Sequence, residues 1–358
     1  MEFLERIKKV QSLLKEHGLD AFLFSSQANV FYLSGFRSSH AYVVITQSSY
    51  HLLTDGRYYQ KALQELKGWD IRLIKGKAVK HIKALLKELG VRLAGYEEDR
   101  VSCEFRRALS SKNIRWKAYS GFIKKLRAVK SQEEINIMKE GVKKSDEVYR
   151  RILSKIREGM RELELRRLIV EEFFKEGASG ESFPAIVASG PASSVPHWES
   201  SHQPIKGGSP LLIDMGMVWK GYCTDFTRTL FVGRADPEFK KVYQVVKDAH
   251  LFALEKARVG NTVGDVDRAA REYIKSKRLG KYFSHSTGHG VGIEIHEHPR
   301  VYYKGQDKDI PIEEGMVFTI EPGVYIPGKF GVRLENIVVI KGGVGEPLSE
   351  VGLDLIEL

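Results

Sequence analysis

The segment LLIDMGMVWKGYCTDFTRTLFV (211–232) limits the possible folds of this 358-residue chain more than any other. Its pattern predicts a β-hairpin closed by Lys-Gly at 220–221, because glycine accepts the positive φ of a two-residue turn. With that turn, Asp214 faces Thr227, and Asp225 is a diagonal neighbour of Asp214 on the same face of the sheet. A loop of odd length would place the two aspartates on opposite faces. Since apolar residues flank both, the hairpin predicts paired carboxylates that a bridging ion can join, rather than two solvent-facing acids on an edge strand.

A second pair of acids lies in two other apolar segments. Glu321 ends one apolar run and Glu335 lies in the middle of another, and each run suits a buried strand. A buried carboxylate must be paired, neutralised or bound to a metal. Arg333 is a possible partner of Glu335, since residues i and i+2 share a strand face. That pairing explains Glu335 alone and leaves Glu321 unexplained.

Four histidines lie within fourteen residues of the segment FSHSTGHGVGIEIHEHP (283–299): His285, His289, His296 and His298. The i, i+4 spacing of the first two suits zinc on a helix, but the glycines at 288, 290 and 292 disfavour a helix. The HExxH motif is absent because Arg300 stands where its second histidine belongs, and the glycines do not form the GxGxxG dinucleotide fingerprint. They indicate instead a backbone held close to a neighbouring group, with His289 between two of them. The cluster of histidines indicates a functional site.

These segments bring two aspartates, two glutamates and at least one histidine to what we expect to be one core. Four converging carboxylates repel one another and are driven towards protonation unless cations neutralise them. Two divalent cations supply the matching charge, and an oxygen-rich set with one imidazole suits Mn²⁺ or Co²⁺, with Zn²⁺ as an alternative. Such a pair can hold a bridging hydroxide as nucleophile and polarise a carbonyl. The sequence thus predicts hydrolytic chemistry.

Composition narrows the class of protein without deciding it. The chain is 42% hydrophobic and 29% charged, which excludes disordered and fibrous proteins, and its length suggests two domains. The net charge of +11 permits a nucleic acid, an anionic membrane or an acidic substrate as partner. Two distant cysteines form neither a disulfide framework nor a CxxC motif, and no apolar run is long enough to span a bilayer. We therefore expect a cytoplasmic protein.

Two regions of different character follow one another along the chain. Residues 1–122 alternate helical and strand-like runs, the pattern of an α/β domain. At the start of the second region, Ser131 and Glu134 form a capping-box motif for a long helix over 132–157. Further on, strands broken by glycine and proline alternate with more helices, an antiparallel-rich α+β pattern. The predicted fold class is α+β, with a smaller α/β domain followed by a chemistry-bearing domain at 123–358.

Five motifs, in this order and spacing, resemble those of the pita-bread metallopeptidases: ASG…PH (188–197), DMG…KGYCTDFTRT (214–229), HSTGHGVGIEIHEHP (285–299), TIEPGVYIP (319–327) and GVRLEN (331–336). Within that family the chain is similar to the proline-specific branch, aminopeptidase P and prolidase. YLSGF (32–36) and LLTDGRYYQKA (52–62) also resemble the N-terminal domain of short bacterial aminopeptidases P. The resemblance implies a pita-bread (creatinase/aminopeptidase-like) catalytic domain behind a creatinase/prolidase-type N-terminal domain.

The resemblance also implies roles for individual residues. The resemblance implies a dinuclear metal centre with five ligands: Asp214, Asp225, His289, Glu321 and Glu335. Of these, Asp225 and Glu335 are the implied bridging ligands. Glu321 is in addition the implied general base towards the bridging water. His197 and His296 match two histidines that hydrogen-bond the substrate and stabilise the tetrahedral oxyanion. Arg333 matches an arginine that orients the acidic ligands.

The implied substrate is a peptide with proline in second place, and the implied reaction is hydrolysis of the Xaa–Pro bond to release the N-terminal residue. Phe183 is a candidate wall of the proline pocket, and a packed core aromatic is an equal interpretation. Arg300 matches an arginine that in some prolidases neutralises the carboxylate of a dipeptide, so an Xaa-Pro dipeptidase is the alternative function. Trp198 stands where the family often has glycine, which puts specificity in question more than chemistry.

A third interpretation belongs to a different class, since some pita-bread modules bind protein, histone or RNA without catalysis. Those modules have lost the ligand set, whereas all five positions are filled here. We therefore expect the surplus lysines and arginines to form a solvated surface, with neither a nucleic acid nor a membrane as partner. The resemblance implies a homodimer with two divalent ions per subunit, and the donor set makes Mn²⁺ the expected metal. The native metal and the preferred N-terminal residue stay open.

Overall fold

The computed structural model describes residues 2–358 and resolves the chain into two units. The first ends at Leu126 and the second runs from Arg127 to Leu358. The sequence predicts a boundary after residue 122. Within residues 2–358, no helix combines the length and the apolar character needed to cross a bilayer.

The first unit alternates helices and strands, and the boundary falls in the last of its helices. In chain order the elements are α1 (Glu2–Glu16), β1 (Ala21–Phe24), α2 (Gln27–Ser34), β2 (Ala41–Thr46), β3 (Tyr50–Asp55), α3 (Tyr59–Glu65), β4 (Asp70–Ile74), α4 (Ala78–Glu88), β5 (Leu93–Glu97), α5 (Cys103–Leu109), β6 (Arg115–Tyr119) and α6 (Lys124–Ala128). The strands form one mixed sheet in the order β4-β3-β2-β1-β5-β6. The central strand β1 is buried at every position, as expected of a strand covered on both faces.

Strands β1 to β5 are each a short run of apolar, β-branched or aromatic residues, in keeping with the strand-like runs expected in this region. The sequence did not indicate α2, α5 or β6, nor the short helix α6. Strand β6 lies at the edge of the sheet and its residues are exposed or half-buried, so its sequence RWKAY carries no clear apolar alternation. Helix α2 is apolar without forming a single stripe, and α5 has only seven residues. Elements α2, α5 and β6 are defined by the neighbours they pack against.

The second unit combines helices with several small antiparallel sheets. In chain order its elements are α7 (Gln132–Leu153), α8 (Glu162–Lys175), β7 (Ile186–Ser189), β8 (Ser209–Met215), β9 (Val218–Trp219), β10 (Tyr222–Cys223), β11 (Phe226–Val232), α9 (Pro237–Lys256), α10 (Val263–Ser276), β12 (Gly288–Gly290), β13 (Glu297–Val301), β14 (Val317–Ile320), β15 (Gly323–Ile326), β16 (Phe330–Arg333), β17 (Asn336–Lys341) and β18 (Val344–Pro347). The two largest sheets have the orders β11-β8-β7 and β13-β12-β14-β17-β18, and β15 pairs with β16.

Helix α7 begins with the predicted capping box. The Ser131 hydroxyl accepts a hydrogen bond from the Glu134 amide at 3.1 Å, and the Glu134 carboxylate accepts one from the Ser131 amide at 3.0 Å. These two bonds satisfy backbone donors that have no partner inside the helix. The sequence prediction of this helix start is therefore confirmed.

One apolar core fixes the direction of the hairpin residues. Helices α7 and α8 pack on β7, β8 and β11 through a cluster that includes Phe173 and Phe226. In β8, Leu211 and Ile213 belong to this cluster. Because side chains alternate along a strand, Asp214 lies on the opposite face, away from the helices. The face that carries Asp214 is therefore available for a polar site.

Candidate metal centre

The hairpin of β8 and β11 has the predicted register. Asp214 pairs with Thr227 across the two strands. Lys220 and Gly221 have positive φ values of 46° and 93°, as a type I′ turn requires. The two-residue turn therefore places Asp214 and Asp225 on one face, and this part of the sequence interpretation is confirmed.

All ten residues that the sequence predicts for the site line one cavity of about 910 Å³ in the second unit. They come from strands and loops that lie far apart in the sequence. The ten are Phe183, His197, Asp214, Asp225, His289, His296, Arg300, Glu321, Arg333 and Glu335. The fold thus brings the acidic residues, the histidines and two arginines together around one cavity.

Three of the five candidate ligands form a tight group, in which one donor atom each of Asp225, His289 and Glu335 lies within 4.8 Å of the others. The His289 Nε2 lies 3.5 Å from Asp225 Oδ2 and 3.4 Å from Glu321 Oε1. The His289 Nδ1 lies 3.0 Å from the Gly290 carbonyl oxygen. Because a carbonyl only accepts, Nδ1 carries the proton and Nε2 turns its lone pair towards the carboxylates. Such facing acceptors are the arrangement that a cation between them stabilises.

Asp214 offers a second indication of a cation. Its Oδ2 accepts a hydrogen bond from the Arg333 guanidinium at 2.5 Å. Its Oδ1 is buried, and no described residue donates a hydrogen bond to it. A buried acceptor that lacks a donor costs free energy, and a metal ion supplies the missing partner.

The pKa shifts of the site residues also indicate a site for cations. Burial and then the charge of Glu335 raise the pKa of Asp225 and of Glu321 well above their ordinary values. Burial and then the charge of Asp214 raise the pKa of Glu335 to about 8. Burial followed by the charge of His296 lowers the pKa of His289 to about 4, so its imidazole is neutral. A set of acids that cannot all ionise alone, beside a neutral imidazole, fits divalent metal ions.

Arg333 links the candidate ligands to neighbouring hydroxyl groups. Besides Asp214, it donates to the Tyr325 hydroxyl at 2.9 Å and to the Thr227 hydroxyl at 3.2 Å. Thr227 in turn donates to Glu335 Oε2 at 2.6 Å. Arg333 therefore orients one acid directly and another through a threonine, as expected of groups that surround a metal centre.

Sequence reasoning missed several residues that hold the ligands in place. The Tyr325 hydroxyl lies 2.8 Å from His285 Nε2. Asp267 accepts hydrogen bonds from the Thr287 amide and hydroxyl at 2.9 and 2.7 Å, and the Thr287 carbonyl accepts from the Glu321 amide at 2.7 Å. A single hydroxyl or acid within a strand or helix has no spacing pattern, so only the fold reveals these contacts. His285 was visible in the sequence as a member of the histidine cluster.

The residues assigned to the substrate line the same cavity and are half-buried or exposed. The imidazole rings of His296 and His289 lie 4.4 Å apart between centroids. Burial and then the charge of His197 lower the pKa of His296. Phe183 is half-buried, and Arg300 is exposed on β13, opposite His289 of β12. These side chains surround the acidic cluster without belonging to it.

Gly288 allows β12 to approach β14 closely. A β-carbon at this position would lie 1.9 Å from the Thr319 carbonyl oxygen, which confirms the expectation of a closely held backbone. We expect Gly288→Ala to destabilise the fold by about 1–3 kcal/mol, as overpacked cores do, and to lower the melting temperature by roughly 2–10 °C. Differential scanning fluorimetry of the metal-free protein measures this change. Gly56→Ala is the control, since that position has open space around it; equal melting temperatures for the two variants would contradict the expectation.

Fold and site together define a metal-dependent hydrolase with a pita-bread catalytic domain. The chain belongs to metallopeptidase family M24, whose model matches residues 136–342. A second model, the Creatinase/Prolidase N-terminal domain, matches residues 6–129. The α+β fold class and the family resemblance are thereby confirmed, and membership of a metallopeptidase family implies a divalent metal cofactor.

Relatives with both domains cover almost the whole chain. The Xaa-Pro dipeptidase of Pyrococcus horikoshii is 34% identical over 358 residues, covering 98% of this chain and 99% of its own. The solved structure of an Xaa-Pro dipeptidase from Bacillus anthracis has a TM-score of 0.95 at 34% identity, covering 99% of this chain and 100% of its own. The solved structure of the X-Pro aminopeptidase from Thermotoga maritima has a TM-score of 0.89 at 34% identity, covering 97% of this chain and 100% of its own.

Proposed function

We propose that the protein is an exopeptidase that hydrolyses the Xaa–Pro bond and releases the N-terminal residue of peptides with proline in second place. The observation that carries the proposal is that the five candidate metal ligands and the two candidate substrate histidines line one cavity. The names of the relatives, Xaa-Pro dipeptidase and X-Pro aminopeptidase, support the substrate class. The complete ligand set disfavours a module that only binds.

We propose that the centre binds two divalent ions, which Asp214, Asp225, His289, Glu321 and Glu335 would hold. Four carboxylates and one imidazole form a hard donor set, which favours Mn²⁺, with Co²⁺ or Zn²⁺ as alternatives. Such ions supply Lewis acidity towards the scissile carbonyl and towards the attacking water. A homodimer with a cytoplasmic location is the accompanying expectation from the family resemblance.

The chain's own residues move the proton and bind the developing charge. Glu321 accepts the proton of the attacking water and delivers it to the leaving proline nitrogen. His197 and His296 hydrogen-bond the substrate and stabilise the oxyanion, and Phe183 forms a wall for the proline ring. Arg333 keeps Asp214 in place through its bond at 2.5 Å.

A second candidate function, Xaa-Pro dipeptidase, is favoured by the position of Arg300. Its side chain lines the cavity and lies over the ring of Tyr302, with 5.0 Å between the guanidinium carbon and the ring centroid. Among residues 2–358, no acidic side chain forms an ion pair with it. Its charge is therefore available to a carboxylate at the end of a short substrate.

Kinetics on two substrates separate the two functions. We expect the Mn²⁺-loaded enzyme to hydrolyse both Ala-Pro and Ala-Pro-Ala, and Arg300→Gln to lower kcat/KM for the dipeptide about tenfold more than for the tripeptide, because a charge-assisted bond to the carboxylate is lost. Arg167→Gln, on the outer surface of α8 beside Glu171, is the control. Cleavage of the dipeptide alone would establish the dipeptidase instead. Inactivity towards both peptides would contradict both functions.

A further inference from the structure

A buried carboxylate outside the metal centre holds both ends of the loop that carries His197. Glu162, the first residue of α8, is completely buried. Its Oε1 accepts from the Ser189 amide at 2.9 Å, at the start of the loop. Its Oε2 accepts from the Trp198 indole N–H, the Ser201 amide and the Ser201 hydroxyl, each at 2.9 Å, at the end of the loop. Four hydrogen bonds thus converge on one side chain.

Residues 190–200, here named the His197 loop, supply one wall of the cavity. Pro196, His197 and Trp198 all line it. The chain leaving the loop is fixed to the first turn of α8 as well, because the Glu162 amide donates to the Gln203 carbonyl at 3.0 Å. On the side of the metal centre, Arg333 donates to the Pro196 carbonyl at 3.3 Å. The loop is therefore held between Glu162 on one side and Arg333 on the other.

The negative charge of Glu162 is balanced by hydrogen-bond donors of the loop instead of a basic side chain. No lysine or arginine of the described chain forms an ion pair with it. The N-terminus of α8, where Glu162 lies, also favours a negative charge. Charge-assisted hydrogen bonds are short and strong, so the loop is held by the carboxylate itself. Glutamine has the same shape but only one acceptor oxygen, and its amide nitrogen would face N–H donors.

We propose that Glu162 is a positioning residue for the reaction: it sets the place of His197 and of the Trp198 indole in the cavity, and thereby the stabilisation of the reacting carbonyl. The inference rests on the proposed function for the role of His197. Glu162 does not contact the candidate metal ligands. Its effect is therefore expected on turnover and substrate binding, with metal affinity unchanged.

The first test is Glu162→Gln in the full-length, Mn²⁺-loaded enzyme. We expect kcat/KM for Ala-Pro-Ala to fall by about tenfold or more, as for other residues that orient a catalytic group, while Mn²⁺ affinity by calorimetric titration stays at the wild-type value. Glu172→Gln is a matched control, because Glu172 is a buried glutamate of the same helix that pairs with Arg151 and Lys155. We expect it to retain wild-type kinetics. Equal kinetics for the two variants would overturn the inference.

A double-mutant cycle shows whether Glu162 acts through His197. If it does, Glu162→Gln lowers kcat in the wild-type background and has little further effect in a His197→Ala background, because interacting residues are not additive. A purely structural role would cost the same factor in both backgrounds, and that result would overturn the inference. Trp198→Phe provides a milder variant that removes the indole N–H and shortens the ring but leaves the bonds of Glu162 to Ser189 and Ser201, and we expect an intermediate loss.

Hydrogen exchange measured by mass spectrometry separates this inference from the proposed function. We expect amides of residues 190–201 to exchange faster in Glu162→Gln than in wild type or Glu172→Gln, because the loop opens more easily. If the wild-type enzyme cleaves no Xaa-Pro peptide, the proposed function is wrong, and exchange still decides whether Glu162 holds the loop. Unchanged exchange in Glu162→Gln would overturn the inference even if the enzyme is active.

Discussion

Asp225→Asn is expected to remove almost all peptidase activity together with most of the bound divalent metal. A donor atom of Asp225 lies within 4.8 Å of donor atoms of both His289 and Glu335, so Asp225 would be one of the side chains that hold the proposed metal ions. An amide oxygen carries no net charge and cannot replace it. Metal ions contribute several kcal/mol of transition-state stabilisation, and about 1.4 kcal/mol corresponds to a factor of ten. The expected loss of kcat is therefore about a thousandfold.

Metal analysis and kinetics on the same samples measure this effect. The purified variant is loaded with Mn²⁺ under the conditions used for the wild type, its metal content is determined by mass spectrometry, and Xaa-Pro hydrolysis is assayed. Asp146→Asn is the matched control, because Asp146 is also a buried aspartate of the second unit but binds Ser349 and Glu350. Wild-type activity and metal content in Asp225→Asn would contradict the proposed centre.

The loss of activity is not expected to result from unfolding. Burial and then the charge of Glu335 raise the pKa of Asp225 in the folded state. A carboxyl group whose pKa is raised by folding lowers the stability of the fold progressively as the pH rises from its unfolded pKa towards its folded pKa. Replacing it with a neutral amide removes this cost, so the metal-free variant is expected to melt no lower than the metal-free wild type. Inactivity combined with intact folding would then be assigned to the metal centre.

The sequence alone predicts the local geometry of the hairpin, because the even number of residues in its turn fixes which residues pair. A two-residue Lys-Gly turn pairs Asp214 with Thr227, and the structure has this pairing. Alternation then determines which face each aspartate occupies. No rule of spacing, however, brings His289, Glu321 and Glu335 to the same cavity. Their convergence depends on long-range strand pairing such as β14 with β17. Before the structure it rested on the expectation that buried acids share one core and on the family resemblance.

The supporting residues were harder to predict than the ligands. The acids attract attention because a charged residue in an apolar run is costly unless it is compensated. A threonine or tyrosine in a strand is ordinary, so the bonds from Thr227 to Glu335 and from Arg333 to Tyr325 leave no mark on the sequence. Glu162 shows the same limit, because its burial depends on the loop that folds over it.

Arg333→Lys is expected to lower kcat/KM by about a hundredfold, at the upper end of the range for residues that orient metal ligands. The guanidinium donates to Asp214, to the hydroxyls of Tyr325 and Thr227, and to the Pro196 carbonyl. Lysine keeps the charge, but its compact ammonium group lacks the planar fork that reaches these partners together. We therefore expect Asp214 to lose its fixed orientation and Mn²⁺ affinity to fall along with activity.

A graded series distinguishes the fork of Arg333 from its charge. Tyr325→Phe removes one acceptor and leaves the bond between Arg333 and Asp214, so we expect a smaller loss of activity than in Arg333→Lys. Arg268→Lys is the control, because Arg268 forms an exposed pair with Asp265, and we expect wild-type activity. Calorimetric Mn²⁺ titration and steady-state kinetics on the three variants provide the comparison. If Arg333→Lys kept full activity, positive charge alone would be sufficient beside Asp214. The geometry favours a loss of activity. An ammonium group placed against Asp214 cannot also donate to the hydroxyls of Tyr325 and Thr227, so these hydroxyls would lose the donor that now connects them to the acids.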